Sequence, residues 1–270
     1  RYALQHSRNV AAVKIADEVG MTKVIKLAKE MGISTLTDQD YNLSTALGGL
    51  THGVTPLEMV QAYGVLANGG IKVQPTAILK IVDRNGQVVE EHSIQEKRVV
   101  DEKDAAIITN MLESVINGGT GGNAAIGRPA AGKTGTTDDS KDAWFVGYTP
   151  DLVAAVWIGD DYGSETLRGI TGGDTPAIMW GQFMANALAN TPASDFSVPA
   201  SAQSAVSEGY YNPVKAQPKK EAAKDEKADK KDDKDKSKDE AVKDDSGSKD
   251  DATEQKSNSS KSKKSSKKDR

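Results

Sequence analysis

Apolar positions recur at helical spacing through residues 10–31 and break at Gly20. That pattern predicts two short helices, the second capped by Thr22 and ended by Gly32. Thr55-Pro56-Leu57-Glu58 then joins a capping box to a proline at the first helical position, and the periodicity continues through Met59, Tyr63 and Leu66 to Gly69-Gly70, so a helix fills that span. Residues 77–82 and 87–92 read as strands on either side of Asn85-Gly86, a dipeptide suited to a tight hairpin because both residues accept positive φ. A further helix is predicted over 101–117, with acidic residues in its first turn, an apolar face of Ile107, Ile108, Met111, Leu112 and Val115, and Gly118 at its end.

A glycine-rich loop covers 118–127. Beyond it, 130–137, 143–149 and 152–159 alternate or run apolar with β-branched and aromatic residues, the last two joined by Pro150-Asp151, and together predict an antiparallel sheet. Residues 176–189 close the folded part as an amphipathic helix carrying Met179, Phe183 and Leu188, with Thr175 as its cap. The fold class is α/β (α+β), an antiparallel sheet packed by helices.

Composition changes the picture at the C-terminal end. From 215 to 270 the chain is nearly all Lys, Asp, Glu, Ser and Ala; it cannot bury enough apolar surface to offset its ordering entropy and reads as a disordered tail, with 191–214 as a linker. The net charge of −4 over 270 residues says little about partners. The basic run 256–270 suits anionic wall polymers or a membrane surface, although a solvated tail is the simpler reading, and no nucleic acid is expected. The chain contains no cysteine, which excludes disulfides, zinc-thiolate sites and thiol nucleophiles.

His6, His52 and His92 are too scattered for a metal site or a histidine triad, and Asp138-Asp139 and Asp160-Asp161 read as turn residues, so neither metal nor cofactor is expected. No apolar run approaches the ~20 residues needed to span a bilayer. Arg1 begins in mid-pattern with neither an initiator Met nor a signal peptide, as in a piece of a longer chain.

Residues 127–137, Gly-Arg-Pro-Ala-Ala-Gly-Lys-Thr-Gly-Thr-Thr, match two unrelated signatures. Residues 127–134 fit G-x-x-x-x-G-K-[ST], the loop whose backbone amides and lysine cradle nucleotide phosphates, and 152–160 imitate the apolar strand ending in Asp that holds magnesium beside it. That chemistry needs a strand before the loop and a helix opening at the Lys-Thr pair, because the helix N-terminus forms part of the phosphate site. Here a glycine-rich stretch precedes the motif and strand-like Trp144-Phe145-Val146 follows, which disfavours nucleotide binding. The second signature is Lys133-Thr134-Gly135, the K-T-G element of the active-site serine penicillin-recognising enzymes. Its companion S-x-N element has a counterpart in Ser7-Arg8-Asn9, in the right order, with a helix cap before Val10 as the lesser alternative for Ser7 and Asn9.

Residues 53–59 (Gly-Val-Thr-Pro-Leu-Glu-Met), 66–70 (Leu-Ala-Asn-Gly-Gly) and 142–150 (Asp-Ala-Trp-Phe-Val-Gly-Tyr-Thr-Pro) extend the match. With them, residues 1–190 resemble the C-terminal part of the transpeptidase domain of class A penicillin-binding proteins. The resemblance implies a partial serine β-lactamase/transpeptidase-like fold, with peptidoglycan stem peptides and β-lactams as partners. The family's nucleophile is the serine of S-x-x-K, which precedes S-x-N. Between residues 1 and 245 no serine has a lysine three residues later, and Ser246 with Lys249 or Ser260 with Lys263 fall in the lysine-rich tail as accidents of composition.

The resemblance therefore implies a nucleophile upstream of Arg1, in a parent with a glycosyltransferase domain and a membrane anchor at the extracytoplasmic face of the bacterial membrane. The 270-residue chain alone is then expected to form no acyl-enzyme. Also by resemblance, Ser7 relays a proton to the leaving amine, Asn9 holds the nucleophile's lysine and the substrate amide, and Lys133 faces Ser7 across the cleft. The hydroxyls of Thr134 and Thr136 join Lys133 on the donor's carboxylate, Gly135 lets the strand approach the substrate, and the Thr136 amide forms half of an oxyanion hole. The remaining alternative is a wall-binding module without catalysis.

Overall fold

The computed structural model describes residues 1–160 and 162–211. The expected tail, 215–270, and Asp161 lie outside the described residues. Helices α1 (Tyr2–Gln5), α2 (Asn9–Val19) and α3 (Met21–Met31) open the chain. The break at Gly20 is as the pattern predicts, but Gly20 itself is the N-cap of α3, so Thr22 lies inside the helix and caps nothing. Likewise Arg8 is the N-cap of α2 and no side chain caps it, which removes the capping explanation for Ser7 and Asn9.

Helix α4 (Pro56–Ala67) carries the predicted capping box, Thr55 and Glu58 each accepting from the other's backbone. The short strands β1 (Ile71–Val73), β2 (Lys80–Val82), β3 (Val88–Glu91) and β4 (Glu96–Arg98) form two antiparallel ribbons, β1 with β4 and β2 with β3. In the β2–β3 connection only Gly86 takes a positive φ, 81°; Asn85 does not, and the Asp83 carboxylate instead accepts from the amides of Asn85 and Gln87 at 2.8 Å each.

Helix α5 (Glu102–Gly118) buries Ala105, Ala106, Thr109, Asn110, Leu112, Val115 and Ile116. Its core face is thus turned from the expected one: Ile108 is exposed, and Thr109 is inside because its hydroxyl bonds Tyr148 Oη at 2.9 Å. The predicted sheet is present as β5 (Ala131–Thr136), β6 (Asp142–Tyr148) and β7 (Val153–Gly159), antiparallel in that order, with β5 at an edge. Helix α6 (Thr175–Ala187) follows, with Asp174 rather than Thr175 at the N-cap; Ala177, Trp180 and Met184 are buried, while Met179 and Phe183 face out.

The pleat sorts the sheet's side chains between two cores. Phe145, Ala154 and Val156 pack against Trp180 and Met184 of α6, while Ala131, Tyr148 and Val153 pack against Leu112 and Val115 of α5 and Tyr63 and Leu66 of α4. A third core joins Ile25 of α3 to Ile33, Leu36 and Ala62. Residues 191–211 depart from the expected linker: Phe196 stacks edge-on to Tyr148 at 5.6 Å, Ala202 is buried, and α7 (Gln203–Tyr211) lies against α5. Few large apolar residues mark this segment, so it carries no periodic signal.

Candidate active site

Ser7 sits at the corner between α1 and α2 with φ of 51°, a left-handed conformation uncommon outside glycine and asparagine. That corner aims its hydroxyl at β5. Lys133 Nζ donates to Ser7 Oγ at 2.8 Å and to the Thr134 carbonyl at 2.9 Å, so residues 126 positions apart in sequence meet. Alternation along β5 puts Lys133 on the α5 face, beside Ala131, and Thr134 and Thr136 on the α6 face. Burial against α5 lowers the Lys133 ammonium to about 8 from an ordinary 10.5.

A cleft of about 540 Å³ runs along this edge, lined by Thr134, Thr136 and Ser7 and by two loops, 119–123 and 171–174. Thr134 Oγ1 lies 2.7 Å from Thr120 Oγ1, and Thr136 Oγ1 accepts from the Gly172 amide at 3.0 Å. Gly172 fits flat against Gly135; a Cβ at 172 would overlap the Gly135 backbone, which is why glycine is required on this close approach. Asn123 Nδ2 donates to the Gly173 carbonyl at 2.8 Å and ties the two loops together. Among the described residues β5 is an edge strand, so its outer row of backbone groups faces no neighbouring strand there.

The structure thus brings Ser7, Thr134 and Thr136 to one cleft, with Gly135 in the strand between the threonines; Lys133 does not itself line the cleft but is bonded to Ser7, which does. Asn9, the first residue of α2, is exposed and does not line the cleft. Thr120 and Asp174 line it but belong to no motif recognised from sequence; the one available signal is the pair of glycine clusters, 118–122, which contains Thr120, and 172–173, which Asp174 follows. Lys133 and Thr134 lie inside a strand that continues into a hairpin with β6, with no helix opening at the pair, so the nucleotide-binding alternative fails on its own structural requirement.

The penicillin-binding protein transpeptidase domain model matches residues 1–167. The chain belongs to the penicillin-binding protein transpeptidase family. Among curated relatives it is 40% identical over 200 residues to penicillin-binding protein 1A of Aquifex aeolicus, covering 74% of this chain and 27% of that protein. Among solved structures it is similar to penicillin-binding protein 1A from Haemophilus influenzae, at 26% identity and a TM-score of 0.68 over 74% of this chain and 35% of that one. It is also similar to PonA1 from Mycobacterium tuberculosis in complex with penicillin V, at 31% identity and a TM-score of 0.55 over 63% of this chain and 50% of that one. These relatives place the transpeptidase domain with class A and its fold with the penicillin-binding transpeptidases. The chain spans about a quarter of the length of the curated relatives it matches. Among the described residues no helix is long and apolar enough to cross a membrane.

Proposed function

We propose that residues 1–211 form the Ser7–Lys133 wall of a D,D-transpeptidase site that cross-links peptidoglycan stem peptides through an acyl-serine, on a serine this chain does not supply. The observation that carries the reading is the 2.8 Å bond from Lys133 to Ser7, which joins the family's second and third elements across the cleft. In the reaction the serine oxygen bonds to the carbonyl between two terminal D-alanines, and the C–N bond breaks. The departing D-alanine amine takes a proton relayed through Ser7; a second stem's amine then attacks the ester and regenerates the serine.

The Lys133 ammonium and the Thr134 and Thr136 hydroxyls form the pole that receives the donor's terminal carboxylate, since charge-assisted donors recognise an anion most strongly. The outer edge of β5, with the Thr136 amide, offers backbone donors for the oxyanion; Asn9 orients the nucleophile's lysine once that segment packs against α2. A β-lactam presents a similar acyl donor and carboxylate and stops at the first ester. The parent protein works at the outer face of the bacterial membrane, where its polymer substrate lies.

Intact-mass spectrometry after benzylpenicillin treatment tests this, run on the 270-residue chain and on the full gene product. The expected result is that only the latter gains the drug's mass. Labelling of neither, with both folded, overturns the transpeptidase reading and leaves wall binding to be tested by pulldown on insoluble peptidoglycan. Labelling of the short chain overturns the assignment of the nucleophile.

A further inference from the structure

The chemistry above uses no residue of the glycine-rich loop between α5 and β5, yet Gly119, Thr120, Gly122 and Asn123 all line the cleft. Thr120 is fixed there from three sides. Its amide donates to the Gln5 carbonyl at 3.3 Å, two residues before Ser7; a Cβ on Gly173 would overlap its carbonyl; and its hydroxyl reaches Thr134 Oγ1 at 2.7 Å. Gly119 is pressed against the Gln5 carbonyl and Val115 closely enough that no side chain fits, so the loop cannot shift without moving α1.

We propose that Thr120 is a positioning residue for anion recognition: its hydroxyl donates to Thr134 Oγ1 and thereby turns the Thr134 proton toward a carboxylate in the cleft. The inference rests on the reading of this cleft as the donor-carboxylate site. A threonine hydroxyl carries one proton and two lone pairs. Thr134 Oγ1 has Lys133 Nζ at 3.5 Å, a group that can only donate, and Thr120 Oγ1 on another side. Either hydroxyl can donate in the 2.7 Å bond; when Thr120 donates, the proton of Thr134 is left free to point toward the cleft, and each bond in the chain Thr120–Thr134–carboxylate strengthens the next. In the opposite arrangement Thr134 would spend its proton on Thr120 and present the ligand with a lone pair. Thr120 therefore acts through Thr134 and touches no reacting atom.

The experiment measures benzylpenicillin acylation of the full gene product over a range of drug concentrations, separating the binding constant from the maximal acylation rate. The proteins are wild type, Thr120→Val, Thr120→Ser, Thr134→Val and the double valine variant. Losing a hydrogen bond that serves a charged group costs roughly tenfold in affinity. Thr120→Val is expected to weaken binding by about that factor with the maximal rate changed less, Thr120→Ser to recover most of it, and Thr120→Val to add little on the Thr134→Val background. The penicillin methyl ester, which lacks the anion, is expected to be indifferent to Thr120→Val. Thr120→Ala carries the same comparison if the valine variant melts early.

Wild-type behaviour of Thr120→Val, or a loss that persists undiminished with Thr134→Val or with the ester, overturns the proposal and marks Thr120 as loop packing alone. Wild-type protein that is folded but unlabelled overturns the transpeptidase reading, and this proposal with it.

Discussion

Lys133 is the residue at which burial and function pull in opposite directions. Its ammonium is held at about 8 because α5 and the Ser7 corner shield it from water, yet the proposed role requires the charge. Anion recognition by Lys133 should thus be intact below pH 8 and fade as pH rises through about 8, well before an ordinary lysine at 10.5 would titrate. Folding should respond with the opposite sign: between about 8 and 10.5 the unfolded chain binds more protons than the folded one, so stability gains with pH there. The check is the pH profile of the second-order acylation constant of the full gene product, expected to descend near pH 8. Lys133→Arg, whose charge persists through the whole range, should remove that descent even if it lowers the rate; an unchanged descent would assign it to another group. Ser7 and Lys133 could be found from sequence because the motifs name them and their order. Thr120 could not, since a single threonine between glycines has no spacing to betray it, and its partners Gln5, Thr134 and Gly173 come from three distant segments.

Among the elements, α4 shows how far a local signature reaches. The sequence showed Thr55 and Glu58 as a capping box, but the Glu58 carboxylate also accepts from the amide and hydroxyl of Ser34 at 2.6 and 2.7 Å and from the Thr35 amide at 2.9 Å. One side chain thereby clamps the end of the α3 segment to the start of α4. Burial alone would raise its pKa, and the hydrogen bonds from Thr55, Ser34 and Thr35 outweigh that, holding the carboxyl at about 2. Its contribution to stability is therefore complete above the ordinary 4.5 and is lost as pH falls toward about 2. Glu58→Gln turns an acceptor into a donor facing amides, and leaving buried groups unpaired costs about 1–3 kcal/mol. Denaturant titrations at pH 7 should show that loss, and the gap between the two proteins should narrow at pH 3; an equal gap at both would mean the carboxylate's charge is irrelevant. Elsewhere periodicity misled for a related reason. Helix α6 carries two apolar stripes, Met179 with Phe183 and Ala177 with Trp180 and Met184, and only the docked sheet selects the second. The ribbon of β1 and β4 was invisible because three-residue strands such as Glu96-Lys97-Arg98 alternate nothing.

At the scale of the molecule, the sheet with α5 and α6 forms a well-filled unit, while the opening helices do not close on themselves. Helix α2 leaves Val10 68% and Ile15 62% exposed, with Val19 also in solvent, and buries only Ala16. In a monomer such exposed apolar side chains are adhesive, and they belong to the helix that follows Ser7, on the side of the cleft where the proposed nucleophile segment would pack. The isolated 270-residue chain is accordingly expected to associate as its concentration rises and to unfold without a clean reversible transition. Sedimentation velocity across a concentration series tests the first part and repeated thermal scans the second. Ile15→Lys combined with Val10→Glu removes the two most exposed of these side chains without touching the sheet, and should shift the chain toward monomer while leaving the melting of the α5–sheet–α6 unit in place. A wild-type chain that stays monomeric and refolds cooperatively would show instead that α2 needs no cover. The cleft wall would then be a self-sufficient scaffold, and the nucleophile segment an addition to it rather than a part of its core.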